Sequence, residues 1–181
     1  MKRWSTVLAV IGLVLILSAT NHTIWHRQKV VDSGERVLLE LRPVDPRSLM
    51  QGDYMVLRYA ADVFPPQGQR DGLPSRGAFV IKLDDNDVAT FSRLGDGNQL
   101  ASDEVLLKYK QVDERGEIRL GAESYFFQEG RADLFNSAEY GVLHVDEAGN
   151  SVLVGLADEN WRIIRPAGAT SVPPRQQNTA E

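Results

Sequence analysis

Gly77-Ala78-Phe79-Val80-Ile81-Lys82-Leu83 runs into Asp84-Asp85-Asn86-Asp87, and Val88-Ala89-Thr90-Phe91-Ser92-Arg93-Leu94 follows. Two strand-length runs around a cluster of Asp and Asn predict a hairpin over 78–83 and 88–94. Such side chains suit the turn because they bond their own backbone and tolerate left-handed conformations. The pattern recurs at 104–111 and 117–121 through Asp113-Glu114-Arg115-Gly116, and at 140–145 and 151–156 through Asp146-Glu147-Ala148-Gly149-Asn150. Three such hairpins point to a β-rich chain.

Working outward, residues 36–42 alternate, with Val37, Leu39 and Leu41 on one face. Pro43 and Pro46 end that strand, because proline cannot donate to a ladder. Residues 54–60 alternate next, with Met55, Leu57 and Tyr59 on one face and Tyr54, Val56 and Arg58 on the other. Residues 63–77, rich in Pro and Gly, are too long for a tight turn and form a mobile or functional loop. Residues 128–139 lack β-branched side chains and space Ala132, Phe135 and Ala138 by three, which predicts a short helix. Residues 161–165 read as a last strand. After Pro166 little apolar content remains and disorder is expected. The fold expected is mainly β, an antiparallel sandwich or partly open barrel of about eight to ten strands with one short helix.

Ahead of this lies an apolar segment. Val7 to Leu17 carries no polar side chain, and between Trp4 and Trp25 the only ionisable group is His22. A helix over those residues is long enough to cross a hydrocarbon core of about 30 Å, although Ser18 to Thr23 is polar. A cleaved signal peptide would place Leu17 third before a cut after Ala19, where a small residue is wanted. An uncleaved signal anchor is therefore expected, with Trp4 and Trp25 at the two interfaces and Lys2 and Arg3 inside the cell. That divides the chain into an anchor with its flanks (1–30), an exported β-rich domain (31–165) and a disordered tail (166–181). The domain would be periplasmic or otherwise extracytoplasmic, held at the inner (cytoplasmic) membrane.

With 43% hydrophobic and 25% charged residues among 181, the chain has the composition of a folded domain. Cysteine is absent, which removes disulfides, thiolate nucleophiles and Cys-based metal sites. The net charge of −5 includes +3 from Lys2, Arg3 and Arg27, so the chain beyond residue 27 carries −8. An acidic domain argues against nucleic-acid binding, which needs a positive surface to displace counterions.

Few residues invite chemistry. Glu123 and Glu129 flank Tyr125-Phe126-Phe127-Gln128, and paired carboxylates can act as acid and base or hold a divalent ion. Glu129 also suits the start of the predicted helix, where the dipole favours an acid. His22 and His26 are four apart on one helix face, a two-ligand metal site without a carboxylate. Ser48-Leu49-Met50-Gln51-Gly52-Asp53-Tyr54 is superficially similar to the Ser/Lys centre of membrane-anchored signal peptidases. Here, however, Pro46 precedes the serine, and the available bases, Lys82, Lys108 and Lys110, alternate onto solvent faces, where a lysine keeps its proton. A Ser-His-Asp triad would need His144, which lies within an alternating strand and has no nucleophile motif near it. No phosphate-cradling loop, dinucleotide fingerprint or metal cluster is present, so no cofactor or metal is expected.

Gly52-Asp53-Tyr54, two free positions, Leu57, one free position and Tyr59 resemble the signature of the GDYXXLXY family of membrane-anchored bacterial proteins. Further segments are similar to the family's: 77–83 with 88–91, Gly121-Ala122-Glu123-Ser124-Tyr125-Phe126-Phe127-Gln128-Glu129-Gly130, Ala138-Glu139-Tyr140-Gly141, and Leu153-Val154-Gly155-Leu156. Together they cover about residues 37–158. The resemblance implies a location and a fold type rather than a reaction, together with a multi-spanning membrane partner. On the residues themselves, Gly52-Asp53 is a shaped turn entering a strand that buries Leu57 and Tyr59; the functional reading puts Asp53, Tyr54 and Arg58 on a ligand or partner surface. The expected role is a membrane-anchored, non-enzymatic binding or accessory module for an envelope or multi-spanning membrane protein. The alternative is a membrane-surface hydrolase using Glu123 and Glu129.

Overall fold

In the computed structural model, which describes residues 2–42, 50–51, 54–70, 72–95, 99–112 and 117–165, a long helix α1 (Lys2–Ser33) leads into a body of ten strands. β1 (Glu35–Glu40), β9 (Tyr140–Val145) and β10 (Ser151–Ala157) form one antiparallel sheet in the order β1-β9-β10. β4 (Arg76–Leu83), β5 (Ala89–Leu94), β6 (Glu104–Gln111) and β7 (Ile118–Arg119) form a second, β5-β4-β6-β7. β2 (Met50–Gln51), β3 (Tyr54–Val56) and β8 (Ser124–Phe126) form a small third sheet. The sheets do not close into a barrel. Single bridges tie their margins: Leu38 lies parallel to Val88, and Leu41 antiparallel to Tyr59.

Alternation drives this arrangement. Val37 and Leu39 of β1 and Leu143 and Val145 of β9 meet Phe79 and Ile81 of β4 and Val105 and Leu107 of β6 in one core. Successive side chains point to opposite faces, so Leu38 faces away from that core, yet it too is fully buried, in a second cluster with Val142 and Ala157. On that second face Leu38 is flanked by the half-buried Arg36 and the exposed Glu40, so β1 is covered from both sides only at its centre.

The predicted turns form as their side chains dictate. The Asp84 carboxylate accepts from the N–H groups of Asn86 and Val88, both at 2.8 Å. Asp146 accepts from Ala148 at 3.0 Å and Asn150 at 2.8 Å, with Gly149 at φ 80°. Asp158 repeats the device towards Asn160 and Arg162. The turn at 113–116 lies outside the described residues.

Two expectations change. The helix predicted over 128–139 is only a single 3-10 turn, Ala132–Phe135. Gly130 at φ 77° sits just before it, and spacing by three is the 3-10 period rather than a sustained α-helical one. The last strand over 161–165 shrinks to one bridge, Ala157 to Ile163, after Trp161 takes a positive φ in the preceding turn. In the loop expected at 63–77, Val63 is fully buried, two short 3-10 turns (Ala61–Val63 and Gln67–Gln69) shape its first part, and the Arg70 Nε donates to the Pro65 carbonyl at 2.7 Å. Finally, among the described residues no helix is long and apolar enough to cross a membrane. The described side chains of α1 begin at Val10, and from there the apolar run reaches only Leu17 before the polar Ser18, Thr20, Asn21, His22 and Thr23, short of about 20 apolar residues. The expected span also drew on residues 4–9, whose side chains are not among the described ones. The tail at 166–181 is likewise outside them.

The C-terminal part of α1 meets the body. Val30 is buried, and the His144 Nδ1 lies 2.6 Å from the Val31 carbonyl. A carbonyl only accepts, so that nitrogen carries the proton. His144 therefore fastens the helix to β9.

Candidate functional site

The signature segment divides by face. Leu57 and Tyr59 are 2% and 5% exposed and belong to the core, whereas Arg58 is exposed. Gly52 and Asp53 lie outside the described residues. The Tyr59 hydroxyl donates to the Ala122 carbonyl at 2.5 Å, and the Leu57 N–H donates to the Glu123 carbonyl at 2.8 Å. The Tyr59 ring occupies the space over Gly141, where an added Cβ would stand 3.0 Å from its Cε1. Burial, reinforced by the Glu123 charge, pushes the phenol far above its usual range, so it remains a donor. Three segments distant in sequence, around residues 57–59, 121–123 and 139–141, are locked together through this one tyrosine.

Tyr54 lies on the opposite face of β3, where its ring meets Phe126 of β8 at 5.8 Å. Phe126 is 74% exposed. Beneath β8 the aromatic packing continues inward: Phe135, carried by the 3-10 turn, meets Tyr125 edge-on at 5.1 Å and Phe127 at 5.4 Å. That turn therefore plugs the core under the small sheet.

Arg58 faces a cleft of about 390 Å³. Arg42, Arg58, Arg70 and Arg119 line it, against Glu117 and Glu123. Leu57, Tyr59, Phe64 and Ile118 supply apolar wall. Arg70 lies over the Phe64 ring at 5.7 Å. Arg119 pairs with Glu117 at 3.1 Å. Sequence reasoning singled out Arg58 and the loop that carries Phe64 and Arg70, and the structure brings these together; Tyr54 is not among the cleft residues. Arg42 and Arg119 were missed, because their convergence depends on strand pairing between distant segments.

The two glutamates are placed differently from each other. One Glu123 carboxylate oxygen accepts from the N–H groups of Leu120 at 2.5 Å and Gly121 at 3.1 Å, which shapes the chain entering β8. Glu129 is exposed on the turn before residues 132–135 and is not among the cleft residues. Lys82, Lys108 and Lys110 are all exposed; Lys82 pairs with Asp103 at 3.3 Å, and Lys108 donates to Asn150 at 3.0 Å. Ser48 lies outside the described residues, as does the His26 side chain. Among the described residues no three His, Asp or Glu are grouped to hold a metal.

The sequence profile of the GDYXXLXY protein family matches residues 16–156. The chain belongs to the GDYXXLXY family. No curated protein and no solved structure matches it. The matched stretch runs from within α1 to the last but one residue of β10 and contains the three segments joined at Tyr59, so this GDYXXLXY protein carries its signature tyrosine as a structural lock, with Tyr54 and Arg58 facing outward.

Proposed function

We infer that this GDYXXLXY protein is a membrane-tethered binding module, with α1 as tether and the β-rich domain outside the cytoplasm. One observation carries the reading. Val10, Ile11, Leu13, Val14, Leu15, Ile16 and Leu17 are each more than half exposed on α1. At 3.6 residues per turn these positions surround the helix, so the segment is apolar on every side. A helix on a soluble protein surface keeps a polar face; one that is apolar all round requires an apolar environment on all sides, such as lipid or other helices. In the sequence Val7, Leu8 and Ala9 lengthen the run towards Lys2 and Arg3, whose charge favours the cytoplasmic side.

The outward Tyr54–Phe126 pair and Arg58 are the contact residues for a second, multi-spanning membrane protein. Aromatic and arginine side chains dominate the energetics of protein contacts. The test is crosslinking of the full-length chain in its native membrane, followed by mass spectrometry. Sedimentation with membranes, release on removal of residues 1–27, and one recovered partner that is lost with Tyr54→Ala or Arg58→Ala are the expected results. Full-length chain in the soluble fraction would sink the tether. A membrane-bound, folded chain with no reproducible partner would sink the binding reading.

A further inference from the structure

The arginine cleft supports an inference that does not depend on the tether or on a protein partner. Arg42 and Arg58 are cross-strand neighbours. The Arg42 N–H donates to the Arg58 carbonyl at 2.7 Å, the Ala60 N–H to the Glu40 carbonyl at 2.8 Å, and Leu41 bridges Tyr59 between them. This register sets residues 42 and 58 directly opposite each other, on the face away from the buried Leu41 and Tyr59. Side chains so placed have Cβ atoms about 5 Å apart, and like charges there repel. Among the described residues neither guanidinium has a carboxylate partner.

The rest of the cleft does not cancel this charge. Among the described residues four arginines stand against two glutamates, one of which pairs with Arg119, while the other accepts from two backbone N–H groups. The described residues thus gather a surplus of two positive charges in one recess of a chain whose net charge is −5. Arg70 is steadied by Pro65 and Phe64.

The geometry points to a binding site for a phosphate monoester in this cleft. A single carboxylate offers one charge and is satisfied by one guanidinium fork. A phosphate monoester brings about −1.5 to −2 charges and three acceptor oxygens, which suits two opposed forks. Phe64 and Ile118 give the organic part of the ligand an apolar wall. The volume of about 390 Å³ falls in the range of small-ligand sites. The monoester can be a soluble metabolite or the headgroup of a lipid such as phosphatidic acid.

The experiment is calorimetric titration of the full-length protein with inorganic phosphate and with O-phosphoserine, using serine as the blank. Flotation with vesicles of phosphatidylcholine, with and without phosphatidic acid, runs alongside it. Saturable binding of O-phosphoserine but not serine is expected, weakened about tenfold or more for each of Arg42→Gln and Arg58→Gln. Arg58→Lys keeps the charge and loses the fork, so it is expected to weaken binding nearly as much. Lys108→Gln, on an exposed lysine not among the cleft residues, is expected to change nothing. Binding of soluble ester marks the metabolite source; selective flotation with phosphatidic acid, lost in Arg42→Gln, marks the lipid source. Thermal melting checks that each variant is folded. Absence of binding by every probe, or affinity unchanged in folded Arg42→Gln and Arg58→Gln, would overturn the site. Equal weakening by Lys108→Gln would also overturn it, by revealing diffuse charge attraction.

Discussion

The inner and outer faces of residues 54–59 share a backbone and have opposite duties. On the inner face Met55, Leu57 and Tyr59 join the core, and the segments around residues 121–123 and 139–141 hold Leu57 and Tyr59 in place. On the outer face Tyr54 reaches across to Phe126 at the surface, and Arg58 opens into the cleft. The signature is therefore two signals interleaved at a period of two. One specifies the packing, and the other leaves chemistry at the surface. A chain can keep the first without the second, so family membership alone does not carry a reaction.

The sharpest way to break the comparison is on the inner face. Leu57→Ala removes a 2% exposed side chain and is expected to destabilise by about 2–5 kcal/mol, measured by urea unfolding. Tyr59→Phe keeps the ring but leaves the Ala122 carbonyl without its donor, for a loss of about 1–3 kcal/mol. Combining it with Gly141→Ala, whose Cβ would press the same ring, should give non-additive losses in a double-mutant cycle. Additive losses would mean that the ring and the glycine do not act as a unit. On the outer face, Arg58→Ala is expected to stay within about 0.5 kcal/mol of the parent in stability. A larger loss would erase the distinction between the faces.

The smallest expected effect lies outside the signature, at Glu104. The Ala101 N–H, the Ser92 hydroxyl and Arg93 together hold its carboxyl below the usual range. A carboxyl whose folded pKa is depressed contributes stability that is present above its unfolded pKa and lost as pH falls through the folded value. Glu104→Gln should therefore lower stability slightly at neutral pH and flatten the acid side of the pH–stability curve. An unchanged acid limb would refute that role.

A second tyrosine packs over a glycine. On β6 Tyr109 lies opposite Gly77 of β4, where an added Cβ would stand 2.7 Å from the hydroxyl oxygen. Tyr59 lies beyond the end of β3 and reaches Gly141 of β9, whereas Tyr109 and Gly77 sit on paired strands. Both tyrosines fill space that a glycine leaves open, yet only Tyr59 joins three separate segments. Gly77→Ala is accordingly expected to disturb one pair of strands, and Gly141→Ala the junction of the segments around residues 59, 122 and 141.

Local readings succeeded where the cause was local. Asp84 and Asp146 make their turns by bonding amides two and four residues on, and such turns are written in adjacent residues. Alternation placed Leu57 and Tyr59 inside because a pleated strand has period two. The helix over 128–139 failed for the complementary reason. Spacing by three in a short stretch fits a 3-10 turn as well as an α-helix, and the need of Phe135 to reach Tyr125 and Phe127 left one turn sufficient. β8 escaped notice because three residues of strand are too few for a period to register.

The sequence by itself determined the β-rich class, the acidic turns, the apolar circumference of α1 and membership of the GDYXXLXY family, because these depend on residues close together along the chain. Only the tertiary structure decided that Tyr59 clasps Ala122 and Gly141, that Glu123 turns its carboxylate to its own backbone, and that Arg42, Arg58, Arg70 and Arg119 share one cleft. Those relations join residues up to 82 positions apart, as Tyr59 and Gly141 are. Nothing in local spacing records which distant strands will pair; that choice is made by the packing of the whole core.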